Sequence, residues 1–307
     1  MILVTGASGF IGSALTGELA QRGLRFRAVS RSGRDGHFAI HHITADTDWT
    51  AALEGVDAVV HLALNAHTRG GTPTPSVEAT HNLARQAAEA GVKRFIFMSS
   101  IKVNGETTEP GRPFTADDPP DPQDAYGRAK LDAEQVLFEL SRRTGLEVTA
   151  LRPPLVYGPG VKANFASMMG WVDRGIPFPL RALDNKRSFV FVGNLVDLVI
   201  LCMSHPKAAG EVFLVSDDED MSTAQLLRRM AAALGRPSRT IPVPASVLTA
   251  VATAMGQRTL ASRLTGSLQV DIAKTRQLLG WVPCIGVDEG LRLTAGSFRQ
   301  SAGIRVS

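Results

Sequence analysis

The sequence predicts a doubly wound α/β fold, a parallel sheet with helices on both faces, followed by a smaller mixed C-terminal region. Three observations predict it. Short, continuously apolar runs alternate with helix-period segments through the first half of the chain. A glycine turn, Gly6-Ala7-Ser8-Gly9-Phe10-Ile11-Gly12, joins the first such run to the first such segment. The rhythm then breaks at Pro153-Pro154-Leu155-Val156-Tyr157-Gly158-Pro159-Gly160, which no regular helix accommodates. Continuous apolar runs mark strands buried on both faces, and parallel strands need crossovers, which the intervening helices supply.

In order, Ile2 to Val4 reads as a strand and Phe10 to Gln21 as a helix. Arg25 to Val29 is a second strand. Val56 to Leu62 is an apolar run broken by Asp57 and His61. Val77 to Ala90 is helical, Arg94 to Met98 a buried strand, Asp124 to Arg143 a long helix and Leu146 to Leu151 a further strand. The stretch Asn104 to Gln123, rich in Pro, Thr, Glu and Asp, is expected to be a mobile loop. Val243 to Thr265, apolar at Val247, Leu248, Val251 and Met255, reads as a packed helix or lid.

Composition narrows the class. The chain of 307 residues is 44% hydrophobic and 20% charged, a soluble balance with enough length for a large core. Its two cysteines, Cys202 and Cys284, lack the spacing of metal ligands, which argues against a zinc site or a disulfide framework and suits a reducing compartment. No metal is expected. The net charge of +4 is spread out, with no more than two Lys/Arg residues in a row, so a nucleic-acid footprint is excluded. Met1-Ile2-Leu3-Val4-Thr5 runs straight into the glycine turn, leaving no room for a signal peptide, and no apolar run approaches the roughly 20 residues that span a bilayer. A cytoplasmic protein is expected.

A glycine turn between strand and helix is the arrangement that holds a dinucleotide diphosphate. Gly6 permits the tight turn, Gly9 lets backbone approach the pyrophosphate, and Gly12 lets helix and strand pack closely. The free N–H groups around Ser8, Phe10 and Ile11 and the positive helix end face the anion. At the end of the second strand, a carboxylate would hold a free ribose 2′-hydroxyl. Here Ser30-Arg31-Ser32-Gly33-Arg34 stands instead, and Arg31 and Arg34 suit a 2′-phosphate. NADP(H) is therefore favoured, with NAD(H) as the alternative. Asp46, after the Ile40 to Ala45 run, is a candidate acceptor for the adenine amino group or else a helix cap before Trp49. The expected division is a Rossmann-type dinucleotide-binding domain over residues 1–153 and a smaller substrate-binding region over 154–307. Strands such as Glu211 to Val215 would return to the sheet from about 186–216.

Tyr126-Gly127-Arg128-Ala129-Lys130 places a phenol and an ammonium on one helix face. The ammonium is expected to lower the phenol's pKa toward neutrality and to hold the nicotinamide ribose. The preceding strand ends in Ser99-Ser100, at the sheet edge where such folds bind ligands. Ser100 is expected to share the reacting oxygen with Tyr126. Ser99 is either a cofactor contact or a strand-end cap.

Gly6 to Gly12, Val60-His61-Leu62-Ala63, Ser99-Ser100, Tyr126/Lys130 and Arg152 to Pro159 together resemble the extended short-chain dehydrogenase/reductase family. The nearest branch is its NAD(P)-dependent nucleotide-sugar epimerases, dehydratases and 4-ketoreductases. The resemblance covers nearly the whole chain, including Lys186-Arg187-Ser188-Phe189-Val190-Phe191-Val192, Asp271 to Arg276 and Leu279 to Pro283. It implies that Tyr126, Lys130 and Ser100 are catalytic, that Arg187 binds the substrate diphosphate, that Ala63 and Pro153 line the cofactor pocket and that Thr80 supports the site. It also implies a UDP-sugar or related substrate and a homodimer packed through the helices at Val77 and Asp124.

The departures bear on the reaction. Leu155, Ser76 and Gly193-Asn194 stand where the family often has Asn, Asn and Asp-Asp, and a C-terminal Arg-Pro-Gly-Asp clamp is not recognisable. Ile101 and Lys102 occupy the positions of the dehydratases' Asp-Glu pair and supply no acid and base for dehydration. Three readings follow. In the favoured one, an NADPH-dependent 4-ketoreductase, Tyr126 protonates O4 of a UDP-4-keto-6-deoxy hexose, N-acetylated or not. In the alternative, a 4-epimerase with bound NAD, Tyr126 takes the O4 proton and hydride later returns to the other face of the keto sugar. The third is a non-catalytic NADP(H) sensor.

Overall fold

The computed structural model describes residues 1–33, 36–63, 77–109, 111–178, 184–239, 241, 243 and 265–303. Strand β1 (Ile2–Thr5) leads through the glycine turn into α1 (Phe10–Gln21), then β2 (Phe26–Ser30), β3 (Phe38–Ala39), α2 (Thr50–Leu53) and β4 (Ala58–His61). Next come α3 (Val77–Glu89), β5 (Arg94–Met98), α4 (Ala125–Thr144) and β6 (Glu147–Arg152). The second half holds β7 (Leu155–Tyr157), α5 (Ala163–Asp173), β8 (Phe189–Phe191), α6 (Val192–Cys202), β9 (Val212–Leu214), α7 (Thr223–Ala233), α8 (Ala273–Leu279) and α9 (Val287–Gly303). The main sheet is seven-stranded, in the order β3-β2-β1-β4-β5-β6-β9, and β7 and β8 form a separate two-stranded sheet. All the strand pairs are parallel. This is the doubly wound Rossmann-type α/β fold that the sequence predicts.

Alternation along the strands builds two cores. Leu3, Val59, Phe95, Phe97 and Val148 face one side, packed with Leu83 and Ala87 of α3 and Ala133 and Leu137 of α4. Val4, Val60, Ile96, Met98 and Leu151 face the other, with Leu15 and Leu19 of α1 and Leu195 and Val199 of α6. Both faces being apolar, the strands carry no polar alternation, which is why they read as continuous runs.

The order reverses direction between β1 and β4, so the crevice of the fold opens outside their carboxyl ends. Register sets that edge level: Thr5 lies beside His61, His61 beside Phe97, and Phe97 beside Ala150. Gly6, Ala63, Ser100 and Pro153 therefore all follow strands that end along one rim.

Two local expectations need correction. The stretch from Asn104 to Gln123 is anchored, not mobile, along the part the structure describes. Phe114 donates its N–H to Gln269 O at 2.9 Å and its carbonyl accepts from Asp271 N at 2.9 Å. Thr108 N bonds Ser267 O at 2.9 Å and Asp121 N bonds Val103 O at 2.9 Å. A polar composition reads as loop, and nothing in it announces backbone partners about 160 residues away. The expected helix or lid at Val243 to Thr265 lies, over 244–264, outside the described residues.

A single carboxylate ties the small sheet to the rest. Asp217, just beyond β9, accepts from Tyr157 Oη at 2.8 Å, Phe191 N at 2.8 Å and Asn194 Nδ2 at 2.8 Å. Asn194 also donates to Ile285 O at 2.8 Å. The Asn in place of the family's second Asp is thus a buried structural bridge.

Candidate active site

The glycine turn fits its expected task. Gly6 has φ +69°, and a Cβ there would sit 3.0 Å from Ala63 N. A Cβ on Gly12 would lie 2.2 Å from Gly6 O. Gly9 is exposed, donates its N–H to Gly6 O at 2.9 Å and heads α1 with no side-chain cap. The first N–H groups of α1, on Phe10, Ile11 and Gly12, have no intrahelical acceptor and face the crevice end with Ser8. Backbone packed this closely, ending in uncapped donors, could hold a diphosphate.

At the end of β2, Ser30 is buried and accepts from Gly33 N at 3.2 Å. Arg31 is exposed, and Arg34 lies outside the described residues. Asp46 sits on an exposed turn. It is not the cap of α2, whose N-cap position is Trp49, and the nearby Asp48 accepts from Thr50 N at 2.9 Å.

Helix α4 carries the phenol and the ammonium. It starts at Asp124, whose carboxylate accepts from Gly127 N at 2.7 Å, and stops at left-handed Gly145. Tyr126 is half-buried, and Ser100 follows the end of β5 and takes part in setting the phenol's pKa. Lys130 is buried, donates to Met98 O, and sits 4.7 Å from the Phe97 ring centre and 5.7 Å from that of Tyr126. Pro153 is buried, and its carbonyl accepts from Ile101 N at 3.0 Å, next to Ser100. Thr80 supports the site through His61: its Oγ1 is 3.3 Å from Nε2, while Nδ1 meets Thr5 Oγ1 at 2.8 Å.

The electrostatics correct one expectation. Burial, with Asp124 adding to it, pushes Tyr126 up to about 12, and Ser100 only partly opposes this. Burial brings Lys130 down to about 7, with the Glu134 carboxylate opposing. Desolvation disfavours both charged forms, and Lys130 is not among the groups that lower the phenol's pKa.

The Ser99 hydroxyl is buried and donates to Glu134. Arg187 precedes β8, which pairs in parallel with β7. It is half-buried, bridges backbone to Met221 and Leu268, and donates Nη1 to Gly266 O at 3.0 Å. Sequence reasoning missed Glu134. Its signal was an acid at four-residue spacing behind Tyr126 and Lys130, on the face that also carries Leu137.

The profile of the NAD dependent epimerase/dehydratase family matches residues 2–216. The chain belongs to the NAD-dependent epimerase/dehydratase family. A UDP-glucose 4-epimerase of Vibrio cholerae is 43% identical to it, over 98% of this chain and 96% of its own length. An Escherichia coli O157:H7 N-acetyl-alpha-D-glucosaminyl-diphospho-ditrans,octacis-undecaprenol 4-epimerase is 29% identical, over 80% and 77%. Among solved structures, MoeE5 in complex with UDP-glucuronic acid and NAD is 27% identical, with a TM-score of 0.78 over 98% of this chain and 99% of that one. The UDP-N-acetylglucosamine 4-epimerase from Bacillus cereus shares the fold, with a TM-score of 0.82 at 22% identity over 97% and 99%. This epimerase/dehydratase family member is an enzyme of the extended short-chain dehydrogenase/reductase type, in its nucleotide-sugar branch. Among its described residues, no helix is long and apolar enough to cross a membrane.

Proposed function

We propose that this enzyme is a nucleotide-sugar 4-epimerase that holds NAD and inverts C4 of a UDP-hexose such as UDP-glucose. The carrying observation is the 43% identity, over nearly the whole of both chains, to a UDP-glucose 4-epimerase. It is supported by Ser100 following β5 and by Tyr126 and Lys130 lying on one face of α4, with Lys130 Nζ 5.7 Å from the Tyr126 ring centre. It turns the reading away from the 4-ketoreductase that Ser30 and Arg31 favour.

The uncapped start of α1 and the glycine cradle would hold the coenzyme diphosphate, Ala63 and Pro153 its pocket walls, and Lys130 its nicotinamide ribose. When bound, the coenzyme would supply reversible hydride acceptance at C4 and a positive charge that favours the phenolate. Tyr126 takes the O4 proton and gives it back to the inverted sugar, and Ser100 holds O4 through both steps. Arg187, one strand pair away, would take the substrate diphosphate. The homodimer that the resemblance implies would pack through α3 and α4.

One experiment separates the readings. UDP-glucose with the purified protein should yield UDP-galactose with no net change in coenzyme absorbance. Loss of NADPH equal to product, with a UDP-4-keto sugar, would establish the ketoreductase instead; exposed Arg31 is the feature in its favour. Coenzyme binding with neither reaction would leave a sensor. Tyr126→Phe should lower kcat by about 100-fold or more while coenzyme content stays the same. Wild-type turnover in that variant would remove the phenol from the mechanism.

A further inference from the structure

We infer that Glu134 is a positioning residue of this site: its buried carboxylate locks α4 to the ends of β5 and β6 and supplies the countercharge for Lys130. This deepens the epimerase reading and rests on it for its link to turnover.

Tyr126, Lys130 and Glu134 recur at four-residue spacing, so they share one face of α4. Glu134 is 3% exposed and Arg152 4%. Oε1 accepts from Arg152 Nε at 2.9 Å and Oε2 from Arg152 Nη2 at 2.5 Å. Oε1 also accepts from Ser99 Oγ. The third arm of Arg152, Nη1, reaches Asn104 Oδ1 at 3.0 Å, and Asn104 Nδ2 reaches Thr115 O at 2.9 Å. One carboxylate therefore fixes the residue before Ser100, the residue before Pro153 and the middle of the helix that carries Tyr126.

Stability alone does not call for this arrangement, because apolar side chains of similar volume often serve a core as well as a buried ion pair. The pair instead offers bidentate geometry and a fixed negative charge. Lys130 needs that charge. From β5 it meets only the Met98 carbonyl and the Phe97 ring, and from β4 it faces His61, which is neutral. On its own helix its ionisable neighbours are Tyr126 and Glu134, and Arg152 of β6 is engaged by Glu134. Glu134 is the group that favours its ammonium form.

The test is a direct titration of Lys130 Nζ in protein labelled with 15N-lysine, the resonance being the one missing in Lys130→Arg. In Glu134→Gln the midpoint should fall by about one pH unit. With UDP-galactose, kcat should drop about tenfold, its alkaline limb should move the same way, and KM should stay within about threefold. An unmoved midpoint in folded Glu134→Gln overturns the proposal, whatever its thermal stability. If Arg152, left as an unpaired buried cation, prevents folding, Glu134→Asp keeps the charge but shortens its reach to Arg152 and Ser99: the Lys130 midpoint should stay near the wild-type value while kcat falls, and an unchanged kcat overturns the positioning role. Full turnover by Tyr126→Phe would sink the function proposed above and leave the Lys130 titration standing.

Discussion

Asp124 serves two ends at the start of α4. It caps the helix through Gly127, and it raises the proton affinity of Tyr126 two residues on. Burial works against its charge, yet the Lys102 ammonium and the Gly127 N–H together hold it below the usual carboxylate range. Replacement by Asn keeps a good cap and removes the charge. Asp124→Asn should therefore move the acid limb of the kcat profile to lower pH, by about half a unit. A limb that stays put would mean the carboxylate does not reach the phenol. At this scale the sequence exposes the reacting groups but not their surroundings. Tyr126, Lys130 and Ser100 are legible because the helix with Tyr126 and Lys130 follows a strand that ends in Ser99-Ser100 at the sheet edge. The rise of Tyr126 is not, since it depends on burial and on a charge seated by the cap. Asp217 had no signal at all: its partners Tyr157, Phe191 and Asn194 come from three separate elements.

Among the elements, α1 leaves least room for change. A side chain at Gly12 would press on Gly6 O and on Ala7, both backbone, so the helix would have to move off β1. Gly12→Ala should cost about 1–3 kcal/mol of stability and lower the coenzyme content of the purified protein. Denaturant unfolding and absorbance after extraction check the two halves. A variant with full coenzyme content would show that the close approach has no part in binding. Helices α1, α3 and α4 were readable because each has a glycine, a cap or a periodic apolar face at its boundary. Strand β3, only Phe38–Ala39, is too short to carry a pattern. The anchored stretch around Phe114 was misread because its order comes from backbone bonds to Gln269 and Asp271.

For the molecule as a whole, the buried ring of His61 couples stability to pH. It is held neutral, with burial and then the Lys130 charge depressing its pKa to about 3. In an unfolded chain the value is about 6.5. Between these values the unfolded chain binds the extra proton, so folding stability rises with pH and is lost as pH falls below about 6.5. Between pH 7 and pH 5 this group should remove about 2 kcal/mol of unfolding free energy. Denaturant unfolding at the two values should show that slope, and His61→Gln should flatten it. An equal slope in the variant would assign acid sensitivity elsewhere. The layered architecture was the most legible property of all, because two apolar faces impose continuous strands. The pairing of β9 beside β6 was less so, since strand neighbours are chosen in space and not in sequence.

That last pairing has a consequence for biosynthesis. The edge of β6 at Ala150 to Arg152 is complete only when Val212 to Leu214 arrives, about 60 residues later. At roughly 5–20 residues per second, the ribosome holds the nascent sheet open on that side for several seconds. For that interval the backbone groups of β6 are unpaired, offered to any other extended chain nearby.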